Sequence, residues 1–328
     1  MTTILYPCRV ISCATGFLLA LTLGVNAQTS SPTPASDAQT SKQTETVVVT
    51  GTKPTQPETL DTVVSQFIDT HAARDSKTGQ FVRDIATGVC PVTMGLPAGF
   101  NAFVTARIEA VAKSIGAPAQ AVGACKPNVE VLFSDEPQKL VDDLADKTRG
   151  AILGVHFVRD SNRISRMTRP IQSWYVTATQ SAETSSAPIA SSDGTPDVAG
   201  KYVLDDAYSI GPTRTVLGSR LDARIQSLIV NVLIVADSNK LKGHDIGPIA
   251  DYAALLALSQ PKSLDGCSDL PSILDMMSDG CSGRPTPIAL TDSDIAYLKA
   301  LYKADLAAQK SGEEESVMNG MENNLSAH

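Results

Sequence analysis

SLIVNVLIVADSNKLKGHDIGPIADYAALLALSQP, residues 227–261, reads as a strand, a polar turn and a helix in direct succession. From Ser227 to Asp237 apolar side chains fill both alternating faces, the pattern of a strand internal to a sheet and covered on either side. Lys240 to Asp245 interrupt the run with charge and glycine, and Pro248 stands near the first helical turn, where a helix tolerates proline. The helix that follows is short and apolar, carries one charge at Asp251, and ends in Gln260 and Pro261.

Working outward, the same periodicities recur. Val63, Val64, Phe67 and Ile68 fall on one helical stripe that ends at His71. Phe100, Phe103, Val104, Ile108, Val111, Ala112 and Ile115 repeat at three- and four-residue steps and predict a helix stopped by Gly116. Residues 128–134 read as a strand, residues 136–150 as a helix opened by Pro137 and closed by Gly150, and 151–158 as a buried strand. Toward the C-terminus, Thr291 and Asp294 have capping-box spacing, ahead of Ile295, Leu298, Leu301 and Tyr302 on one face. No repeat of 20–50 residues is visible. The expectation is an α+β fold, a mixed sheet packed with helices in a single domain over residues 58–310. Residues 179–200 are expected to form a mobile insertion, and residues 311–328 a disordered acidic tail.

The N-terminus has the form of a secretory signal peptide. Arg9 precedes an apolar run from about Cys13 to Val25, followed by the small-residue site Val25-Asn26-Ala27. The run is too short for a membrane span, so no span is expected after cleavage, and the chain is expected in the periplasm or outside the cell. Residues 28–57, rich in Ser, Thr, Gln and Pro, read as a disordered lead-in. Removing 27 residues leaves 301 with a net charge of −9, a balance that argues against nucleic acid and anionic lipid as partners. Four cysteines remain, Cys90, Cys125, Cys267 and Cys281, an even number in a compartment that oxidises thiols. The sequential pairing closes the shortest loops and is favoured. Its second bridge, closing a loop of about 15 residues, stabilises by roughly 3 kcal/mol in the chain-entropy model. The absence of a close C-x-x-C pair counts against structural zinc.

The order of elements in the last third carries a resemblance. An internal strand, an apolar helix, the turn Ser272-Ile273-Leu274, and a closing helix LTDSDIAYLKALY (290–302) resemble the end of metzincin-like zinc proteases, the zincin group. That family carries H-E-x-x-H-x-x-G-x-x-H on the helix, with the histidines on zinc and the glutamate activating water. The resemblance places the helix histidines at Ala250 and Ala254, the glutamate at Asp251, the glycine at Ala257, and the third histidine at Gln260. It implies a zincin-like fold without catalytic residues, metal or cofactor. What remains is a candidate binding cleft lined by Ala250, Asp251, Ala254, Gln260, Ser272 and His244, suited to an extended polypeptide or an envelope protein. The whole mature chain also resembles a group of secreted bacterial proteins of uncharacterised function, a likeness that implies export and one domain and supplies no site residue.

Two other functions compete. His244 and Asp245, with Asp251, could serve a metal-independent hydrolase, although Asp245 also has the position of a helix cap. Glu45 to Gly51, ETVVVTG, resembles the box by which outer-membrane receptors engage the energy-transducing protein TonB, and would make the chain an adaptor of that system. The same Val47, Val48 and Val49 suit a strand paired to a sheet edge. Arg159, Arg163, Arg166 and Arg169 suit either a carboxylate-bearing ligand or the protein's own acidic surface.

Overall fold

The computed structural model describes residues 57–75, 79–83, 88–118, 120, 125–148, 150–154, 163–181, 188–189, 225–278, 281, 283–304 and 310–327. The stretches read as a signal peptide and a lead-in, before Pro57, and the segment Glu45 to Gly51 lie outside them. Among the described residues six helices, α1 (Pro57–His71), α2 (Ala98–Ile115), α3 (Pro137–Thr148), α4 (Ile246–Leu258), α5 (Asp292–Lys303) and α6 (Lys310–Ser326), accompany five strands. The strands are β1 (Pro91–Met94), β2 (Val129–Ser134), β3 (Ile171–Ser181), β4 (Pro188–Ile189) and β5 (Ile225–Asp237), in the sheet order β1-β2-β5-β3-β4. β1, β2 and β5 run parallel, while β3 is antiparallel to β5 and to β4. The fold is therefore a mixed α+β one.

β5 is central because its sequence leaves it no polar face to give to water. Val232, Ile234 and Ala236 join the core formed with α1, α2, α4, α5 and α6. Leu233 and Val235 join Leu132, Trp174 and Val141 of α3 in a second, smaller core. A bulge adjusts this alternation: Val176 opposes Asn231 and Thr177 opposes Ile229, so Val230 has no residue opposite it. One extra residue reverses the facing of everything before it, and this is how Ile229 reaches the main core with the even-numbered residues.

Turns and caps follow the sequence signals. Gly116 ends α2 at φ +79°, and the Thr291 hydroxyl of α5 accepts from the Asp294 N–H as half of a full capping box. Gly95, between β1 and α2, has φ +98°, and a Cβ there would stand 1.9 Å from the Phe133 carbonyl oxygen, so only glycine lets α2 start this close to β2. The cysteines form Cys90–Cys125 and Cys267–Cys281, the sequential pairing. Among the described residues no helix is long and apolar enough to cross a membrane.

Three expectations need correction. Ala151–Leu153 form a 3-10 turn, and Gly154 at φ +67° diverts the chain, so the strand read over 151–158 does not begin there; Val155 to Val158 lie outside the described residues. Residues 179–181 and 188–189 of the expected insertion are strand, the rest lying outside. Residues 311–328 are not a disordered tail, because Lys310–Ser326 form α6 and extend the domain past residue 310. Glu313, Val317 and Met321, spaced four apart, make a buried stripe on that helix, and the acidic run that suggested solvent is partly consumed by ion pairs to Arg83 and Arg74.

Candidate functional site

α4 follows β5 across the turn 238–245 and enters the core. Every residue from Ile249 to Leu258 is buried, as a helix apolar on all sides must be. Its last carbonyls are satisfied from outside: the Tyr175 hydroxyl of β3 donates to the Leu256 oxygen at 2.8 Å, and the Tyr302 hydroxyl of α5 donates to the Leu258 oxygen at 3.0 Å. Ala250 and Ala254 are fully buried within it, and Ser272 is fully buried beneath α5. These positions, expected to line a cleft, are core positions, because α2, β5, α5 and the segment Ile273–Met277 all pack against α4. Gln260 lies past the helix end, half-buried, its carbonyl accepting the Ala73 N–H at 2.9 Å.

The exception in the apolar helix is Asp251. Its carboxylate accepts Arg107 Nε on one oxygen and, on the other, Arg107 Nη2 at 3.1 Å and the Leu290 N–H at 3.0 Å. Its side chain is 4% exposed and that of Arg107 41%, so a buried anion is held by a cation at the surface. The hydrogen bond to Asp251 raises the Arg107 pKa above its ordinary value. This fork ties α4, α2 and the segment before α5 into one unit. The lone charge in an apolar run was the sequence signal that a partner exists. Nothing in the local pattern names Arg107, which is 144 residues away.

His244 and Asp245 are exposed in the turn; Asp245 holds the N-cap position without a side-chain cap bond. Asp251 lies six residues further on, roughly 9 Å along the axis, facing Arg107. The structure thus brings Asp251 to Arg107, not to His244. Of the arginine run, Arg163 and Arg166 are exposed, Arg169 pairs with Asp265, and Arg159 lies outside the described residues. The Arg169 pairing matches the reading in which the run meets carboxylates of the protein's own surface.

Below α4 a second buried carboxylate organises the chain. Asp294 accepts from the Ser272 hydroxyl at 2.7 Å, the Ile273 N–H at 2.8 Å, the Thr291 N–H at 3.0 Å and the Thr291 hydroxyl at 2.9 Å. Burial still outweighs these donors and pushes its pKa up to about 6.

Four large apolar side chains are exposed elsewhere. Met94, Phe100, Phe103 and Ile288 are 48%, 50%, 45% and 71% exposed. Phe100, Phe103 and Arg107 share one stripe of α2 at helical spacing. Met94 ends β1 four residues before that helix begins, and Ile288 is two residues from Leu290, which Asp251 holds beside Arg107. The stripe begins where β1 ends, and β1 is an edge strand that pairs only with β2 among the described residues. Phe100 and Phe103 belong to the apolar repeat that predicts α2, and in the structure both are exposed.

The residues do not fit the zinc ion of the resemblance. Two buried methyl groups, at Ala250 and Ala254, offer no donor, and the Asp251 carboxylate is committed to Arg107 and Leu290. Comparison with protein-family models, with curated proteins and with solved structures found no match.

Proposed function

We propose that this chain is an exported, zincin-like protein without catalytic metal, which binds an extended polypeptide segment of an envelope or secreted protein along the edge of β1. The zincin reading rests on element order: β5, the apolar α4, the turn at Ser272-Ile273-Leu274, and the capped α5. Two disulfides favour an oxidising compartment. The observation that carries the binding role is the exposed run Met94, Phe100 and Phe103 at the end of an edge strand. An edge strand supplies unpaired backbone groups for affinity, and adjacent apolar side chains supply selection among sequences.

Panning a library of unstructured peptides against the mature chain tests this. Peptides with alternating apolar residues are expected to be enriched and to slow amide exchange in β1. Phe103→Glu is expected to weaken them about tenfold or more, 1.4 kcal/mol, at unchanged melting temperature, because the site is exposed. A library that yields no binder, or a variant that binds like the wild type, would defeat the reading.

A metal measurement addresses the lost chemistry separately. The oxidised mature protein, equilibrated with zinc and then dialysed, is expected to keep far less than one ion per chain and to show no chelator-sensitive peptidase activity. One tightly held zinc would overturn this part.

A further inference from the structure

The Cys267–Cys281 bridge lies against a buried carboxylate. Asp275, in the 3-10 segment Ile273–Met277, accepts the Ser272 N–H on Oδ2 at 3.1 Å, and its Oδ1 stands 3.3 Å from Cys281 Sγ. One ligand atom each from Cys267, Asp275 and Cys281 lies within 4.8 Å of the other two. The cysteines are half-buried and Asp275 is buried, so the cluster has a solvent side and a fixed floor. A tetrahedral zinc ion, about 2.3 Å from thiolate sulfur and about 2.1 Å from carboxylate oxygen, spaces its ligand atoms roughly 3.5–3.8 Å apart. The two sulfurs reach that spacing once their bond is broken.

We propose that reduction of the Cys267–Cys281 bridge creates a Cys2Asp site for zinc or a similar thiophilic divalent cation, with water in the fourth position. A dithiol supplies the two electrons and two protons. The S–S bond breaks, two thiols form, and the dithiol leaves as its own cyclic disulfide. Zinc then displaces both thiol protons to solvent. The ion replaces the covalent link between residues 267 and 281, so the loop that carries Asp269 and receives Arg284 stays closed under reducing conditions. This site shares no residue with the α4 positions or the β1 edge, and it stands independently of the peptide-binding proposal.

The test uses the mature chain, reduced with dithiothreitol, desalted without oxygen and titrated with cobalt(II), then zinc(II). Reduced protein is expected to take one cobalt per chain, with thiolate-to-metal charge-transfer absorption that zinc abolishes, whereas oxidised protein shows none. Asp275→Asn keeps an acceptor for the Ser272 N–H and is expected to weaken the metal about tenfold or more. Replacing Cys267 and Cys281 together by Ser is expected to remove the absorption. No absorption in the reduced wild type, unchanged absorption in the double variant, or wild-type affinity in Asp275→Asn would each overturn the proposal.

Discussion

Glu313→Ala is expected to destabilise the protein by about 3–5 kcal/mol, the cost of leaving one member of a buried ion pair without its partner. The Arg83 and Glu313 side chains are 1% and 2% exposed and meet at 2.7 Å. Glu313 also accepts the Phe81 N–H at 3.1 Å, and Arg83 donates to the Ala304 carbonyl at 3.2 Å. Truncating the glutamate strands a guanidinium and a backbone N–H in the core of α1, α5 and α6. The pair's own net contribution is a different quantity. Arg83→Met combined with Glu313→Leu is expected to recover much of the loss, because the double change removes both desolvation costs. Urea denaturation of the two variants beside the wild type measures this. A loss below about 1 kcal/mol in Glu313→Ala would mean that α6 does not depend on this contact.

The acidic start of α6 masks its buried stripe in the sequence. Burial of Val317 and Met321 follows from their spacing, but three glutamates at 313–315 dominate the local pattern, and only a partner 230 residues away neutralises the first of them. Helices α2 and α5 and the strand β5 were legible because their signals are local: a glycine stop, a capping box, and an apolar run on both faces. The exposed Phe100 and Phe103 were not, since periodicity gives a stripe without saying where along it the neighbouring layer ends. The same limit applied to α4. Its sequence required burial, and burial among the elements packed around it is what removes Ala250 and Ala254 from any cleft. Asp251 was visible as an anomaly, and its meaning depended wholly on Arg107.

Asp294→Ala is expected to cost about 3–4 kcal/mol near neutral pH, since it leaves the Ile273 and Thr291 N–H groups and the Ser272 hydroxyl buried without their acceptor. Asp294→Asn behaves differently. Its oxygen keeps the donors from Ile273 and Thr291, and its amide N–H faces the Ser272 oxygen, which turns to accept, so the expected cost is below about 1.5 kcal/mol. The pH dependence separates the two roles. With a folded pKa of about 6 against an ordinary value of 3.8, the native state holds a proton that the unfolded chain releases. The stability this group contributes is fully present below pH 3.8 and is lost as pH rises through 6, by roughly 2–3 kcal/mol in all. His71 works in the opposite sense over part of that range. Burial lowers it from 6.5 to about 4, so its contribution is present above pH 6.5 and lost as pH falls toward 4. The observable is therefore the difference in urea midpoint between wild type and Asp294→Asn at pH 5 and at pH 7.5, in which His71 cancels. Wild type is expected to gain on the variant at pH 5, and a difference that is flat or of opposite sign would show that Asp294 is ionised throughout and acts only as a hydrogen-bond acceptor.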